Sequence, residues 1–157
     1  MDGGKVRSKL RGRTFAKIVA WNSATQTEVI CDLGKDARIG VDLDQELRDQ
    51  PGLIAWYVQL REDARERYEA AKHHEHNVYE DFDKKVREAL PAKYTEREVK
   101  TRINRKKRMR EAYRERMRWE AVYNRLRGAV QAIEARGFSM KEIAYLRRME
   151  FSTRDDG

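Results

Sequence analysis

A short basic segment carries the most distinctive chemistry in this sequence. Residues 100 to 118 contain ten lysines and arginines but only two glutamates. Because so few carboxylates lie among these positive charges, ion pairs within a helix cannot neutralise them, and their repulsion disfavours the segment unless an anion is present. Lys and Arg side chains bind phosphate groups whatever the base sequence, with an affinity that depends on salt. The predicted phosphate contacts are Lys100, Arg102, Arg105, Lys106, Lys107, Arg108, Arg110 and Arg114.

A second basic segment lies at the N-terminus. Residues 1 to 20 contain six lysines and arginines against the single Asp2. The whole chain has a net charge of +8, so the rest of it is mildly acidic. We interpret residues 1 to 13 as a basic flexible arm, because they offer little to bury, and Arg11 and Arg13 as further predicted contacts. An anionic polymer is the partner that this charge distribution favours.

Aromatic residues accompany the basic segment and allow two interpretations. Tyr94, Tyr113, Trp119 and Tyr123 lie within it or beside it, where they could stack on bases. Aromatic residues at helical spacing are more often part of the core.

The sequence offers little for catalysis. His73, His74 and His76 are close together, but no Cys or second His group completes a metal site. Asp81 and Asp83 lack the second acidic cluster that a two-metal nuclease needs. Walker, GxSxG and HExxH motifs are absent. We therefore expect a protein that is not an enzyme and uses no metal and no cofactor.

The lone Cys31 excludes an internal disulfide and indicates a reducing cytoplasm. No apolar run approaches the length of a membrane span. We expect a soluble cytoplasmic protein that has no membrane partner.

Alternating residues in segment 14 to 34 predict a small β-hairpin. Alternation around Val19 and Trp21 resumes around Val29 and Cys31, after a turn-prone segment. Because an isolated hairpin is only marginally stable, it must pack on helices or on a neighbouring subunit. Residues 34 to 52 predict a connecting loop with a possible short helix at 43 to 47.

Residues 35 to 157 predict a helical domain for DNA binding and oligomerisation, which makes the protein mainly α. Apolar residues at helical spacing predict a first long helix over residues 53 to 90, between Pro51 and Pro91. A capping box at Thr95 and Glu98 begins a second, antiparallel helix, which we expect to end at Gly137. A short third helix is predicted over residues 139 to 151.

The helices offer more apolar surface than we expect one chain to cover. A first helix of that length extends roughly 57 Å and needs a partner helix alongside it. We therefore predict a homo-oligomer. The predicted oligomerisation residues are Trp119, Val122, Leu126, Ile133 and Phe138.

The segment from Trp119 to residue 151 resembles, without gaps, the C-terminal part of the UvsY family of recombination mediators from T-even phages. The resemblance rests on Trp119 and on the pairs and triplets Gly-Ala at 128, Ala-Ile at 132 and Arg-Gly-Phe at 136. Tyr94 and the Lys-Thr pair at 100 are also in register. The likeness covers about residues 35 to 151.

The resemblance implies a ring-like homo-oligomer that binds single-stranded DNA, associates with a single-strand-binding protein and loads a RecA-like recombinase. It also implies a phage protein in the cytoplasm of a bacterial host. The Lys-x-Arg motif that the family uses for single-stranded DNA has no clean counterpart here. The nearest candidates are Lys84, Lys85 and Arg87.

Two other functions remain open at this point. The chain could be a helical structural or assembly protein whose basic segment binds an acidic partner. A regulator of duplex DNA is a weaker alternative, because no helix-turn-helix pattern with a short glycine turn is evident.

Overall fold

The computed structural model describes residues 17–90 and 93–155. In chain order the elements are β1 (Ile18–Asn22), β2 (Thr27–Cys31), α1 (Leu33–Asp36), α2 (Leu43–Glu88), α3 (Glu96–Asn104) and α4 (Lys107–Asp155). The predicted arm at 1 to 13, with Arg11 and Arg13, lies outside the described residues. The mainly helical fold with a small hairpin is confirmed.

The hairpin forms where alternation predicted it. β1 and β2 are antiparallel, and Ile18 pairs with Cys31. Asn22 shapes the turn, because its side-chain oxygen accepts hydrogen bonds from the backbone N–H groups of Ala24 and Thr25, at 3.0 and 3.3 Å. Ile18 and Cys31 are buried against the helices. The packing that a hairpin requires is therefore supplied within one chain.

Asp63 of α2 fastens the hairpin turn to the helical body. The backbone N–H and the hydroxyl of Ser23 donate hydrogen bonds to its carboxylate, at 2.9 and 2.7 Å, and the Gln59 side chain donates a third at 2.9 Å. Burial opposes ionisation of Asp63, but these bonds and the charge of Arg67 outweigh it and lower the pKa of the carboxyl group. The turn is therefore held by an ionised, buried acid.

Helix α2 begins ten residues earlier than predicted, at Leu43. Asp42 caps it by accepting a hydrogen bond from the backbone N–H of Gln45 at 3.1 Å. Pro51, interpreted from the sequence as a boundary, lies inside the helix. The prediction of a connecting loop up to residue 52 is wrong in this part.

Contacts with α4 explain why the helix continues across Pro51. The side chain of Gln50 donates a hydrogen bond to the carbonyl of Ile133 at 2.6 Å and accepts one from buried Arg136. Arg136 also pairs with Glu46. These tertiary bonds hold the turns of α2 around Pro51 and offset the hydrogen bond that proline cannot donate.

The same junction corrects the prediction for Gly137. A Cβ atom at Gly137 would lie 2.9 Å from the side-chain nitrogen of Gln50, so glycine here permits a close approach between helices. No described glycine has a positive φ, and α4 runs without interruption to Asp155. The predicted helix end at Gly137 and the separate third helix over residues 139 to 151 are wrong.

The predicted second helix is divided near its start. The capping box at Thr95 and Glu98 is present as predicted, but α3 ends at Asn104 and α4 begins at Lys107. In an unbroken helix Ile103 and Met109 would point about 120° apart. Both are buried in one cluster. The break therefore lets two apolar faces with different orientations meet the same core.

The helix that covers α2 is α4 of the same chain. Trp119, Leu126 and Ile133 are buried in the described chain, and Leu126 and Ile133 lie in one core cluster with Tyr57 and Leu60 of α2. Val122 is half-buried against that cluster. These four predicted oligomerisation residues are therefore occupied inside one chain, and only Phe138, which is 70% exposed, remains open.

We predict that Asp63→Asn destabilises the protein by about 1–3 kcal/mol, because the amide has one acceptor oxygen for the hydrogen bonds that the carboxylate accepts from Ser23. Urea titration measures the loss. Since the pKa of Asp63 is lowered in the folded state, its contribution is complete above the unfolded pKa and is lost as the pH falls below about 4. The difference between wild type and Asp63→Asn should shrink over that range.

Asp81→Asn is the matched control, because Asp81 is an exposed acid on the same helix. An equally large effect in the control, or none in Asp63→Asn, contradicts this account of the hairpin anchor.

Candidate nucleic-acid interface

One end of the molecule is built around a second core cluster. Its buried members are Val78 and Val86 of α2, Val99 and Ile103 of α3, and Met109 and Ala112 of α4. This cluster brings together the C-terminal end of α2, the whole of α3 and the N-terminal end of α4. The basic segment and the basic residues of α2 therefore lie at the same end of the body.

Exposed cations flank the buried residues of this cluster in sequence. Lys84 and Lys85 precede Val86, Arg102 precedes Ile103, and Arg108 and Arg110 surround Met109. Lys100, Arg105, Lys106, Lys107 and Arg114 are also exposed. Of these ten cations only Lys107 has a carboxylate within 4.0 Å among the described residues, Glu111 at 3.7 Å. Lys100 and Arg102 are near enough to Glu96 and Glu98 to help lower the pKa of these carboxyl groups. The apolar cluster supports a surface of positive charges that mostly lack close ion pairs, and we call these ten cations the cationic end.

The start of α4 adds to this positive potential. The first turn of α4 contains no acidic residue, although the N-terminal end of a helix carries a partial positive charge and favours anions. Lys107, Arg108 and Arg110 lie in the first turns instead. The helix dipole and the side chains therefore attract an anion to the same place.

Arg116, near the end of the segment, stabilises the structure. Arg116 pairs with Glu75 of α2 and, at 2.7 Å, with Glu120. Desolvation opposes the charge of Arg116, but the hydrogen bond to Glu75 and the nearby carboxylates raise its pKa overall. The interpretation that the segment is poorly supplied with ion pairs therefore holds for residues up to 114, apart from Lys107. It is wrong for Arg116 and for Arg118, which pairs with Glu28 at 3.2 Å.

Arg87 also differs from the sequence interpretation. Its guanidinium donates two hydrogen bonds to Glu96 of α3, both at 2.8 Å, and one to Asp83 at 2.8 Å. These hydrogen bonds raise the pKa of Arg87, and the bonds to Glu96 have the largest effect. Arg87 ties the end of α2 to α3, so its guanidinium is occupied, whereas Lys84 and Lys85 are not.

The aromatic residues divide between core and surface. Trp119 is 8% exposed, and Tyr123 stacks on Tyr68 with ring centroids 6.3 Å apart. Both belong to the packing of α2 against α4. Tyr94 and Tyr113 are 38% and 48% exposed, which leaves them as the members of this set that a base could reach.

Arg67 is a candidate binding residue that no sequence pattern predicted. Its guanidinium lies over the rings of Trp21 and Trp119, 4.1 and 4.9 Å from their centroids. The three residues come from β1, α2 and α4, so no local spacing indicates that they meet. The only indication in the sequence was the presence of the tryptophans themselves, because the face of an indole ring is the best aromatic partner for a cation.

Other predicted or excluded sites can be placed as well. His76 pairs with Glu80 at 3.0 Å, and within the described ranges no group of three or more His, Cys, Asp or Glu side chains is arranged to hold a metal ion. Among the same residues, no helix combines the length and the apolar character needed to cross a membrane.

Helices α2, α3 and α4 form a fold that is shared by solved structures of a recombination mediator. This chain matches structures of the recombination mediator protein UvsY from bacteriophage T4. One superimposes with a TM-score of 0.67 at 20% identity, over 75% of this chain and 92% of that chain. Two others give 0.63 at 20% identity, over 91% and 95% of the UvsY chain. The predicted resemblance is confirmed at the level of the fold. No family model and no curated protein sequence matches the chain.

We predict that Arg116→Gln lowers the free energy of unfolding by about 2 kcal/mol, because it leaves the partly buried carboxylate of Glu75 without its charged donor. Arg110→Gln, at an exposed position without an ion pair among the described residues, should change stability by less than about 0.5 kcal/mol. Thermal unfolding of both variants measures the difference. Equal effects would show that Arg116 is no more structural than its neighbours.

Proposed function

We propose that this protein is a recombination mediator that binds single-stranded DNA without sequence specificity and helps a RecA-like recombinase load onto strands covered by single-strand-binding protein. The observation that carries the proposal is the cationic end: exposed lysines and arginines, mostly without carboxylate partners among the described residues, supported by the second core cluster. The UvsY fold supports the same function. The protein would act by binding alone, without a catalytic step.

The chemistry of the cationic end fits the backbone of a strand better than its bases. Lysines and arginines on α2, α3 and α4 would contact phosphates, which are the same at every nucleotide. A mediator needs this property, because it must engage whatever sequence the single-strand-binding protein covers. Release of counterions makes the affinity depend strongly on salt.

Self-assembly would multiply these contacts. The C-terminal part of α4 exposes large apolar side chains: Phe138, Tyr145 and Leu146 are 70%, 62% and 60% exposed. Phe138 and Tyr145 are seven residues apart and therefore lie on one side of the helix. We propose that a second copy of the chain covers this surface, in place of the core residues that the sequence suggested. Identical subunits then bind one strand at several points.

We predict that changing Arg105, Lys106, Lys107 and Arg108 together to Gln weakens binding to oligothymidylate and slows loading of a RecA-like recombinase on strands covered by single-strand-binding protein. Gln keeps helix propensity and removes charge, so the fold should persist. If each subunit loses two phosphate contacts, the slope of log affinity against log salt should fall by roughly 1.4 per engaged subunit. Fluorescence anisotropy at several salt concentrations measures this.

A variant with Lys35, Arg48, Arg65 and Arg125 changed to Gln is the matched control, because it removes the same charge from exposed positions away from the cationic end. If both variants lose the same affinity for the strand, the loss is caused by the change in net charge and not by the cationic end. Unchanged binding after the first substitution, or tighter binding to an acidic polypeptide than to the strand, contradicts the proposal.

We predict that the unaltered protein is a homo-oligomer larger than a dimer, and that Phe138→Asp together with Leu146→Asp produces a folded monomer, because charge cannot be buried on the proposed contact surface. Sedimentation with circular dichroism measures mass and folding. Ile30→Asp is the control, at a side chain of the hairpin that is 65% exposed. A folded monomer of the unaltered chain contradicts the proposal.

A further inference from the structure

A groove of about 390 Å³ lies where the hairpin meets the two long helices. It is lined by residues of the hairpin, α2 and α4, three of them arginines and two of them glutamates: Trp21, Glu28, Arg67, Arg114, Glu115, Arg118 and Trp119. Of these, only Arg114 belongs to the contacts predicted from the sequence.

Arg67 is held in this groove by ring faces. Its guanidinium carbon lies over Trp21 at 4.1 Å and over Trp119 at 4.9 Å. These two ring contacts restrict the guanidinium without using its N–H donors in a hydrogen bond. The side chain is therefore oriented before any ligand arrives, which lowers the entropic cost of binding.

The donors of Arg67 have no acceptor in the described part of the chain. No carboxylate lies within ion-pair distance, and no hydrogen bond engages the guanidinium. Asp63 is near enough for Arg67 to lower its pKa, but its oxygens accept from Ser23 and Gln59. A fixed guanidinium with unoccupied donors suits a bidentate oxyanion such as a phosphodiester.

The neighbouring arginines connect the groove to the cationic end. Arg110, Arg114 and Arg118 are four residues apart and form one row along α4, with steps of about 6 Å along the axis. Arg114 has no ion pair among the described residues, and Arg118 contacts Glu28 at 3.2 Å in an exposed pair. Exposed pairs of this kind are weak, so a phosphate can displace Glu28 from Arg118.

We propose that this groove is a second binding site for the phosphodiester backbone of single-stranded DNA, with Arg67 as its fixed ligand and Arg114 and Arg118 as flanking contacts. The inference rests on the proposed function and deepens it: the strand would leave the cationic end, follow the row on α4 and reach the hairpin. The hairpin then contributes to binding by fixing Arg67 through Trp21, and Glu28 competes with the strand for Arg118.

The test measures binding of oligothymidylate to the full chain by anisotropy across salt concentrations. Arg67→Gln should weaken binding about tenfold and lower the salt slope by about 0.7 for each engaged subunit. Arg67→Lys should recover the slope but not the full affinity, because an ammonium lacks the planar fork. Arg65→Gln, an exposed arginine two residues away, is the matched control and should leave both unchanged.

Glu28→Gln is a second variant that tests the groove even if substitutions of Arg67 disturb the hairpin. Removing the competing carboxylate should tighten binding about twofold to fivefold, a gain that a damaged fold cannot produce. In a Trp56→Phe background, tryptophan fluorescence reports on Trp21 and Trp119, and the oligonucleotide should change it.

The outcomes separate the two proposals. If the unaltered chain does not bind oligothymidylate, the proposed function fails. If it binds and the variant at residues 105 to 108 is impaired, but the Arg67 and Glu28 variants bind like wild type with unchanged fluorescence, the groove is not part of the strand path. Variants that alter binding to single-strand-binding protein but not to the oligonucleotide also overturn the inference, in favour of protein docking.

Discussion

The lengthwise pairing of α2 with α4 is the constraint on which the rest of the structure depends. Each helix is more than forty residues long and has an apolar stripe. Exposing such a stripe to water would destabilise the folded state. Each covers the stripe of the other, and the hairpin closes the remaining side through Ile18, Ala20 and Cys31. The core between α2, α4 and the hairpin is therefore built entirely from residues of one chain. In the described chain, the cationic end and the large apolar side chains along the C-terminal part of α4 remain exposed to solvent.

Charge is sorted by the same packing. Three arginines pair with a carboxylate of a neighbouring element: Arg116 with Glu75, Arg136 with Glu46 and Arg87 with Glu96. Breaking the pair of Arg116 leaves Glu75, whose side chain is only 19% exposed, without its charged donor, so this arginine stabilises the fold. The lysines and arginines that face solvent near α3 are mostly without acidic partners in the described chain. A total of +8 conceals this division, which decides which cations are available to a ligand.

Local pattern predicted the features that local physics determines. The hairpin followed from alternation, the capping box from Thr95 and Glu98, and the basic segment from composition. The errors share one cause, which is contact between residues far apart in sequence. Gln50 and Arg136 are 86 residues apart, and their hydrogen bonds carry α2 across Pro51 and place Gly137 inside α4. The contact of Arg67 with two indoles depends on three elements, so neither periodicity nor motif could indicate it.

The burial of Cys31 provides a natural probe for the separation of the hairpin from the helices. Cys31 is the last residue of β2, and its thiol is fully buried on the side of the hairpin that faces the helices. Burial, and to a smaller extent the charge of Asp36, raises the pKa of the thiol to about 11. It is the single cysteine of the chain, so any reaction with a thiol reagent has one source. In the docked state the sulfur is both inaccessible and protonated. The rate of labelling therefore reports how often the hairpin leaves α2 and α4, in a protein that carries no introduced probe.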